Sequence, residues 1–260
     1  MKLWLKYVSI LIKSQLQYRT SFIFICVGQF FIPFTVFISV YFLFDRFSSV
    51  KDYTFYEVAL CYSVIHFGFS ISECFARGFD MFSGLIRDAG FDRLMLRPRN
   101  LILQVTGSSF ELNRIGRFLQ SAIVMAIALF GLDLTWTPVK ILLLFCMVLS
   151  SSLVFSGIFI LTSTLCFWTV QSIEVVNIFT DGGRELSQFP LDIYKREFAL
   201  FFTFIIPLGM TNYIPLMYIL DRVPQLSILY VLAPLYGAAF IVPCVFIWYC
   251  GVRRYKSTGS

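Results

Sequence analysis

The chain has 260 residues, of which 58% are hydrophobic and only 14% are charged, and its formal net charge is +6. A mean hydropathy of +0.79 is typical of a polytopic membrane protein and excludes a soluble globular domain. The positive charge does not indicate nucleic-acid binding, because every basic stretch borders an apolar run. The seven cysteines lie in or beside these runs, so we interpret them as packing residues and not as disulfides or metal ligands.

The N-terminal segment, residues 1–20, has one polar stripe. Its members recur at spacings of three and four residues, and they are Lys2, Lys6, Ser9, Lys13 and Gln17. This period predicts an amphipathic helix that lies in the inner membrane interface and leads into the first span. The alternative is that these residues are only a basic flank of that span. No cleavable signal peptide is expected, because the segment lacks a continuous apolar core.

Six apolar runs follow and make up a transmembrane domain over residues 21–260. A helix of about 20 apolar residues crosses the hydrocarbon core of a bilayer. The sequence therefore predicts an all-α polytopic membrane protein with six transmembrane helices, at about 21–44, 53–75, 115–132, 139–168, 198–220 and 228–250.

The distribution of basic residues predicts the orientation of these spans. Only four of the 21 Lys and Arg residues fall in the predicted outer loops or at the outer end of a span, and the other 17 lie on the inner side; the outer four are Arg46, Lys51, Lys140 and Arg222. Positive residues accumulate on the cytoplasmic side. We therefore expect a multi-pass protein of the plasma or inner membrane with both termini cytoplasmic. Its outer loops (45–52, 133–138 and 221–227) are short, and its cytoplasmic segments are 76–114 and 169–197.

The fifth run is interrupted by Pro207, Gly209 and Pro215. Proline removes a backbone donor and kinks or ends a membrane helix. We predict that the crossing helix ends near Gly209–Asn212. Residues 213–220 would then form a short helix that dips back from the outer face.

The chain carries no recognisable catalytic chemistry. No lysine follows a glycine, so a phosphate-binding Gly-Lys-Ser/Thr loop is absent, and no metal-ligand spacing occurs. The ionisable candidates within the spans are Glu57, His66 and Glu73, of which only His66 is deep. We interpret His66 either as a neutral side chain that is hydrogen-bonded inside the bundle or as a contact in a transport pathway.

The segment between spans two and three, about 76–114, contains a short stretch that mixes apolar and charged residues and ends at Pro98. Such a stretch predicts an amphipathic helix below the membrane that fits a groove on a soluble partner, or else lies flat on lipid headgroups. The apolar face would consist of Leu85, Ile86, Phe91, Leu94 and Met95, with Asp92, Arg93 and Arg97 beside it.

Two groups of short motifs resemble type-2 ATP-binding-cassette (ABC) transporter permeases, in particular the group usually labelled an uncharacterised ABC transport system permease. The first is Gly90-Phe91-Asp92, Leu94 and Leu96-Arg97-Pro98. The second is Phe189-Pro190, Ile193-Tyr194, Ile206-Pro207 and Asn212-Tyr213-Ile214-Pro215. The resemblance extends over essentially the whole chain.

This resemblance implies that segment 76–114 holds a coupling helix that seats in a cytoplasmic ABC ATPase subunit. It also implies two copies of that ATPase, which bind ATP and Mg²⁺, while this chain binds no cofactor. The second permease of the dimer would be a different chain or another copy of this one. The remaining expected partner is the membrane lipid around the spans.

The favoured function is therefore the membrane-spanning subunit of an ATP-driven exporter. The alternatives are a secondary carrier or channel without an ATPase, and a structural membrane subunit that transports nothing. Short outer loops and apolar walls favour an amphipathic, lipid-like or peptide cargo over a free ion.

The orientation can be tested with single cysteines in intact cells. We expect an impermeant thiol reagent to label Ser49→Cys from outside and to leave Ser257→Cys unlabelled. Labelling of Ser257→Cys from outside would reverse the topology.

Overall fold

The computed structural model describes residues 2–169, 177–223 and 228–256. Their regular secondary structure is helical, and no strand occurs among them. The all-α class is thereby confirmed for this part of the chain. Five helical stretches are long and apolar enough to cross a membrane: Arg19–Phe47, Phe55–Phe75, Leu112–Gly131, Pro138–Thr169 and Ile228–Arg254. Two shorter segments joined at a bend, Arg196–Ile205 and Leu208–Ile219, would add one more if they form a single span, and we call them the bent pair. The five long stretches correspond to five of the six apolar runs.

Helix α3 (Phe55–Phe75) is the centre of the bundle and is buried along most of its length. It begins at a capping box in which the side chains of Thr54 and Glu57 each bond the other residue's backbone N–H. Helices α8 (Ile115–Gly131) and α9 (Pro138–Thr169) pack against it. At Gly68 a side chain would meet Ser151 of α9 at 2.5 Å, so a glycine is needed for this close approach.

The outer layer of the bundle packs on these helices. Helix α2 (Arg19–Phe47) lies against α8, while α14 (Ile228–Ala239) and α15 (Ile241–Arg254) lie against α9. The other described helices are α1 (Lys2–Gln17), α4 (Arg77–Asp80), α5 (Phe82–Arg87), α6 (Gly90–Met95), α7 (Leu101–Ser108), α10 (Gly183–Ser187), α11 (Arg196–Leu200), α12 (Leu208–Thr211) and α13 (Tyr213–Ile219).

The fifth apolar run is broken, as its prolines predict, but the break comes earlier than expected. Helix α11 continues as a π-helix over Phe201–Ile205, and the chain leaves the helical conformation at Ile206. Residues 196–205 and 208–219 meet at a bend of 75°. The first helix of the fifth run thus ends before Pro207 and not near Gly209–Asn212. Pro207 cannot donate to the ladder, which explains why the helix stops one residue before it.

The segment predicted to be cytoplasmic between spans four and five does not stay at one end of the bundle. From Arg184 onward it runs antiparallel to α3: the Arg184 guanidinium lies over the Phe69 ring and the Gln188 side chain contacts His66. At its far end Asp192 accepts a hydrogen bond from Tyr53 at 3.0 Å. The expectation for 169–197 is therefore wrong for 184–193, and residues 170–176 lie outside the described part of the chain.

Sequence reasoning placed this segment in a loop because it has too few apolar residues for a span. It lies along the bundle because α3 and the bent pair supply partners for its polar groups. Lys and Arg residues remain more numerous on the inner side of the membrane when Arg184, Lys195 and Arg196 are no longer counted there.

Contacts among three connections define one end of the bundle, which we call the loop end (residues 48–54, 132–137 and 220–223). Arg222 pairs with Glu57 at 2.8 Å and donates to the carbonyl of Asp52. Lys140, at the start of α9, pairs with Asp221 at 2.6 Å. Lys51 donates to the backbone carbonyl of Asp192 at 2.6 Å, so Asp192 also belongs to this end. The predicted loop 221–227 is described only to residue 223.

The opposite end holds α1, the short helices α4–α7 and the end of α15. Trp4 stacks on Phe75, and Phe91 contacts Tyr255 edge to face at 5.2 Å between ring centroids. Both ends of the described chain therefore lie on the same side as the 76–114 segment. This arrangement is what an even number of crossings requires.

The position of Asp192 gives a test of the revised topology. We expect Asp192→Cys, exposed at the loop end, to be labelled from the same side of the membrane as Ser49→Cys. Arg99→Cys, exposed at the opposite end, is the matched control and should be labelled from the other side. Labelling of Asp192→Cys only from the Arg99 side would contradict the fold.

Candidate functional site

The short helices α4–α7 form a layer across one end of the bundle, which we call the end layer (residues 76–114). Helices α4 and α7 touch so closely that a side chain at Gly78 would lie 1.8 Å from the carbonyl oxygen of Val105. Ala89 adopts a left-handed backbone with φ of 50° and turns the chain from α5 into α6. The layer is thus a folded part of the bundle rather than a loose loop.

Two residues of the predicted coupling face are inside the protein. Ile86 and Phe91 are 1% and 0% exposed. Phe91 packs edge to face against Phe82, with 5.0 Å between centroids, and lies within 6.3 Å of Trp248 on α15. The expectation that Ile86 and Phe91 form an exposed face is therefore wrong. Their apolar side chains instead pack the end layer against α9 and α15.

Leu85 and Leu94 are half-buried against the same core, whereas Met95 is exposed. The most exposed apolar side chain of the layer is one that the prediction left out, Leu96, at 85%. Arg93 and Arg97 are exposed beside it, and Asp92 is half-buried. The surface available to a soluble partner is therefore the tip formed by residues 93–99, which we call the tip.

The tip is held to the N-terminal helix. Arg97 donates to the hydroxyl of Tyr7 at 2.9 Å, and Gly107 of α7 lies against the side chains of Trp4 and Tyr7. Gln104 donates to the carbonyls of Leu94 and Arg99 at 3.2 Å and so fixes the turn that carries the tip. Two different helices therefore position the exposed leucine.

A buried ion-pair network joins the end layer to α3 and α8. Glu73 accepts from Arg117 at 2.6 Å and pairs with Arg114 at 3.3 Å. Arg114 also pairs with Glu111 at 2.8 Å, and Glu111 pairs with Arg77 at 3.1 Å. Removing one partner from such a network leaves an uncompensated buried charge, so the network holds the end layer firmly to α3 and α8.

Outside the spans, Arg77 also pairs with Asp80. Burial raises the pKa of the Asp80 carboxyl, and the Arg77 guanidinium opposes that rise. The pair is part of the same connection between the end layer and α3.

His66, the predicted pathway contact, is 4% exposed. Its ring stacks on Tyr62 with 3.9 Å between centroids, and its Nε2 atom lies 3.4 Å from the Gln188 side-chain oxygen. Tyr62 in turn donates to the carbonyl of Pro33 at 2.7 Å and accepts from Gln120. In this structure His66 is thus part of an internal hydrogen-bonded layer.

The polar residues that sequence reasoning missed lie on the segment beside α3. Asp181, Arg184, Glu185 and Gln188 were assigned to a cytoplasmic loop, so they were not considered as pathway residues. The signal that could have found them is the regular spacing of these side chains, three and four residues apart, which places them on one face of a helix.

The burial of Phe91 changes what a substitution there should do. We expect Phe91→Asp to destabilise the folded protein by about 3 kcal/mol or more, because it places a charge in an aromatic cluster and removes the ring's packing. The yield of monodisperse protein in detergent measures this. Leu96→Asp, five residues away and exposed, is the control and should leave the yield unchanged. Equal yields of both variants would contradict the packing.

Comparison of the chain with known proteins identifies one family. No curated protein and no solved structure matches it. The sequence model of one family, described as ABC-2 family transporter protein, matches residues 30–259. This match extends over the spans, the end layer and the bent pair, and the members of this family are membrane components without an ATPase of their own. The chain therefore belongs to the ABC-2 family and is a permease component of an ABC transporter.

Proposed function

We propose that this permease is the membrane-spanning subunit of an ATP-driven exporter and that its end layer couples it to a cytoplasmic ABC ATPase. The observation that carries the proposal is the tip, where Leu96 is 85% exposed next to basic side chains although the rest of the layer is folded. An exposed apolar residue on a rigid support suits a groove on a soluble partner. The mechanical links to α3, α9 and α15 suit the transmission of its movement.

The remaining partners follow from the same reasoning. The chain has no phosphate-binding loop, so ATP and Mg²⁺ would bind to the ATPase. Two copies of this ATPase would complete the complex. The pathway would be completed by a second six-span permease, either a different chain or another copy of this one. The inner bias of Lys and Arg favours a cytoplasmic location for the end layer and both termini.

An apolar cavity of about 430 Å³ supports an amphipathic cargo. It lies between the inner part of α9, the bent pair and the last span, and its lining includes Ile158, Leu165, Phe201, Phe240 and Ile247. Its size and apolar lining suit a hydrocarbon chain or an aromatic group and do not suit a free ion.

A structural subunit that transports nothing is the remaining alternative, and substrate-stimulated ATP hydrolysis by the assembled complex separates it from an exporter. A structural role would leave hydrolysis unchanged at all cargo concentrations. An amphipathic cargo should raise it.

Co-purification tests the coupling role of the tip. The tagged permease is co-expressed with candidate ABC ATPases, and the retained ATPase is measured per permease. Burial of a leucine contributes roughly 1.5–3 kcal/mol, so Leu96→Asp should lower the affinity at least about tenfold.

Leu103→Asp is the matched control, since Leu103 is half-exposed on α7 of the same layer. It should retain the ATPase. Full retention by Leu96→Asp, or equal losses in both variants, would show that the tip is not the docking surface.

A further inference from the structure

The stretch Ile178–Ser187 carries charged side chains to the middle of the bundle. Helix α3 has 21 residues and is therefore about 30 Å long, the thickness of a bilayer core. Arg184 lies over Phe69, and the carbonyl of Ser187 accepts a hydrogen bond from the Cys61 thiol at 3.5 Å. Phe69 and Cys61 lie on either side of the midpoint of α3. Glu185, between Arg184 and Ser187 in sequence, is therefore at mid-membrane depth.

The carboxylates of this stretch are open rather than enclosed, with Glu185 at mid-depth and Asp181 one turn nearer the end layer. The side chain of Glu185 is 42% exposed and that of Asp181 is 60% exposed, whereas that of Arg184 is 14% exposed. Arg184 pairs with both carboxylates, at 2.8 Å to Glu185 and 3.1 Å to Asp181. One guanidinium thus faces two carboxylates, and both carboxylates keep a free surface on the outside of the described chain.

The opposite side of this helical stretch is packed. A side chain at Gly183 would contact Leu208 at 3.2 Å and Phe202 at 3.6 Å, both on the bent pair. Gln188 and His66 form the buried layer next to it. The exposed carboxylates therefore form one face, which points away from the bent pair and out of the bundle. We call it the acidic face (Asp181, Arg184 and Glu185).

Lipid is an unsuitable neighbour for the acidic face. Exposed ionised side chains in the hydrocarbon core are costly, so charged residues at this depth face protein or water. The last span differs at this depth. Gly237 lies against Ser150, next to the contact of Ser151 with Gly68, so Leu235 is near mid-depth, and this residue is exposed and apolar. The same chain thus presents two surfaces of opposite polarity at one depth.

The geometry points to the acidic face as a wall of a water-filled cavity inside the membrane, which forms part of the translocation pathway. This inference rests on the chain being a permease and not on the direction of transport. The cavity's far wall belongs to the second six-span subunit of the proposed function. His66 lies behind this wall, one layer of side chains away.

Thiol chemistry tests the inference, because only the ionised thiol reacts and it ionises in water rather than in lipid. The parent variant carries alanine at its incompletely buried cysteines, Cys26, Cys74, Cys146 and Cys250. Glu185→Cys is introduced there, and the full permease in lipid vesicles is treated with a charged methanethiosulfonate. Leu235→Cys, exposed at a similar depth of the last span, is the matched control.

We expect Glu185→Cys to react at least about tenfold faster than Leu235→Cys. Equal rates at the two positions, whether fast or slow, would overturn the inference. The assay needs no ATPase, so its outcome is independent of the Leu96 experiment on coupling.

A second measurement covers the case in which the cysteine variant folds poorly. Glu185→Gln and Glu185→Leu both lose the ion pair to Arg184, so any difference in Tm between them reports the surroundings of the side chain. In water the two variants should have similar Tm values in lipid nanodiscs. A markedly higher Tm for Glu185→Leu would show that this face meets lipid and would overturn the inference.

Discussion

The structure depends on one constraint, which is that a backbone leaving the helical conformation inside a membrane must find hydrogen-bond partners in the protein. The bent pair leaves the helix at Ile206–Pro207 and again at Asn212. The Asn212 amide donates to the carbonyls of Cys61 and Ser187, at 3.1 and 2.9 Å. One side chain thus joins three elements, α3, α10 and the start of α13. The bend and the polar stretch beside α3 stabilise each other through it.

The same arrangement allows a polar segment to cross much of the membrane. Residues 184–193 would be a poor independent span, since they include Arg184, Glu185 and Asp192. They lie against α3, which is buried on nearly every side, and against the bent pair, which encloses their apolar side chains such as Leu191. The polar side chains are left on the face that the described chain does not enclose. The acidic face is thus a consequence of how the fifth apolar run folds back.

At the other end of the molecule the apolar residues of the end layer have a mechanical role. Phe82, Phe91 and Trp248 form an aromatic cluster that connects α5, α6 and α15. The ion pairs of Glu73 connect the layer to α8. A close-packed interior transmits displacement instead of absorbing it. A partner that moves the tip would therefore move the last span and the centre of the bundle together.

Hydropathy and proline positions by themselves determined much of this protein. Apolar runs of bilayer length became the five long helical stretches, because in lipid a helix satisfies its own backbone and needs no tertiary partner. Pro207 marked the break to within a few residues for the same local reason. Tertiary structure decided which side of each polar or amphipathic stretch is buried. Phe91 is inside and Leu96 outside because Trp248 and Tyr255, more than 150 residues away, close over one face of α6. Arg184 and Glu185 lie at mid-depth because α3 and the bent pair pack against their segment, and the local sequence does not show which distant elements will do so.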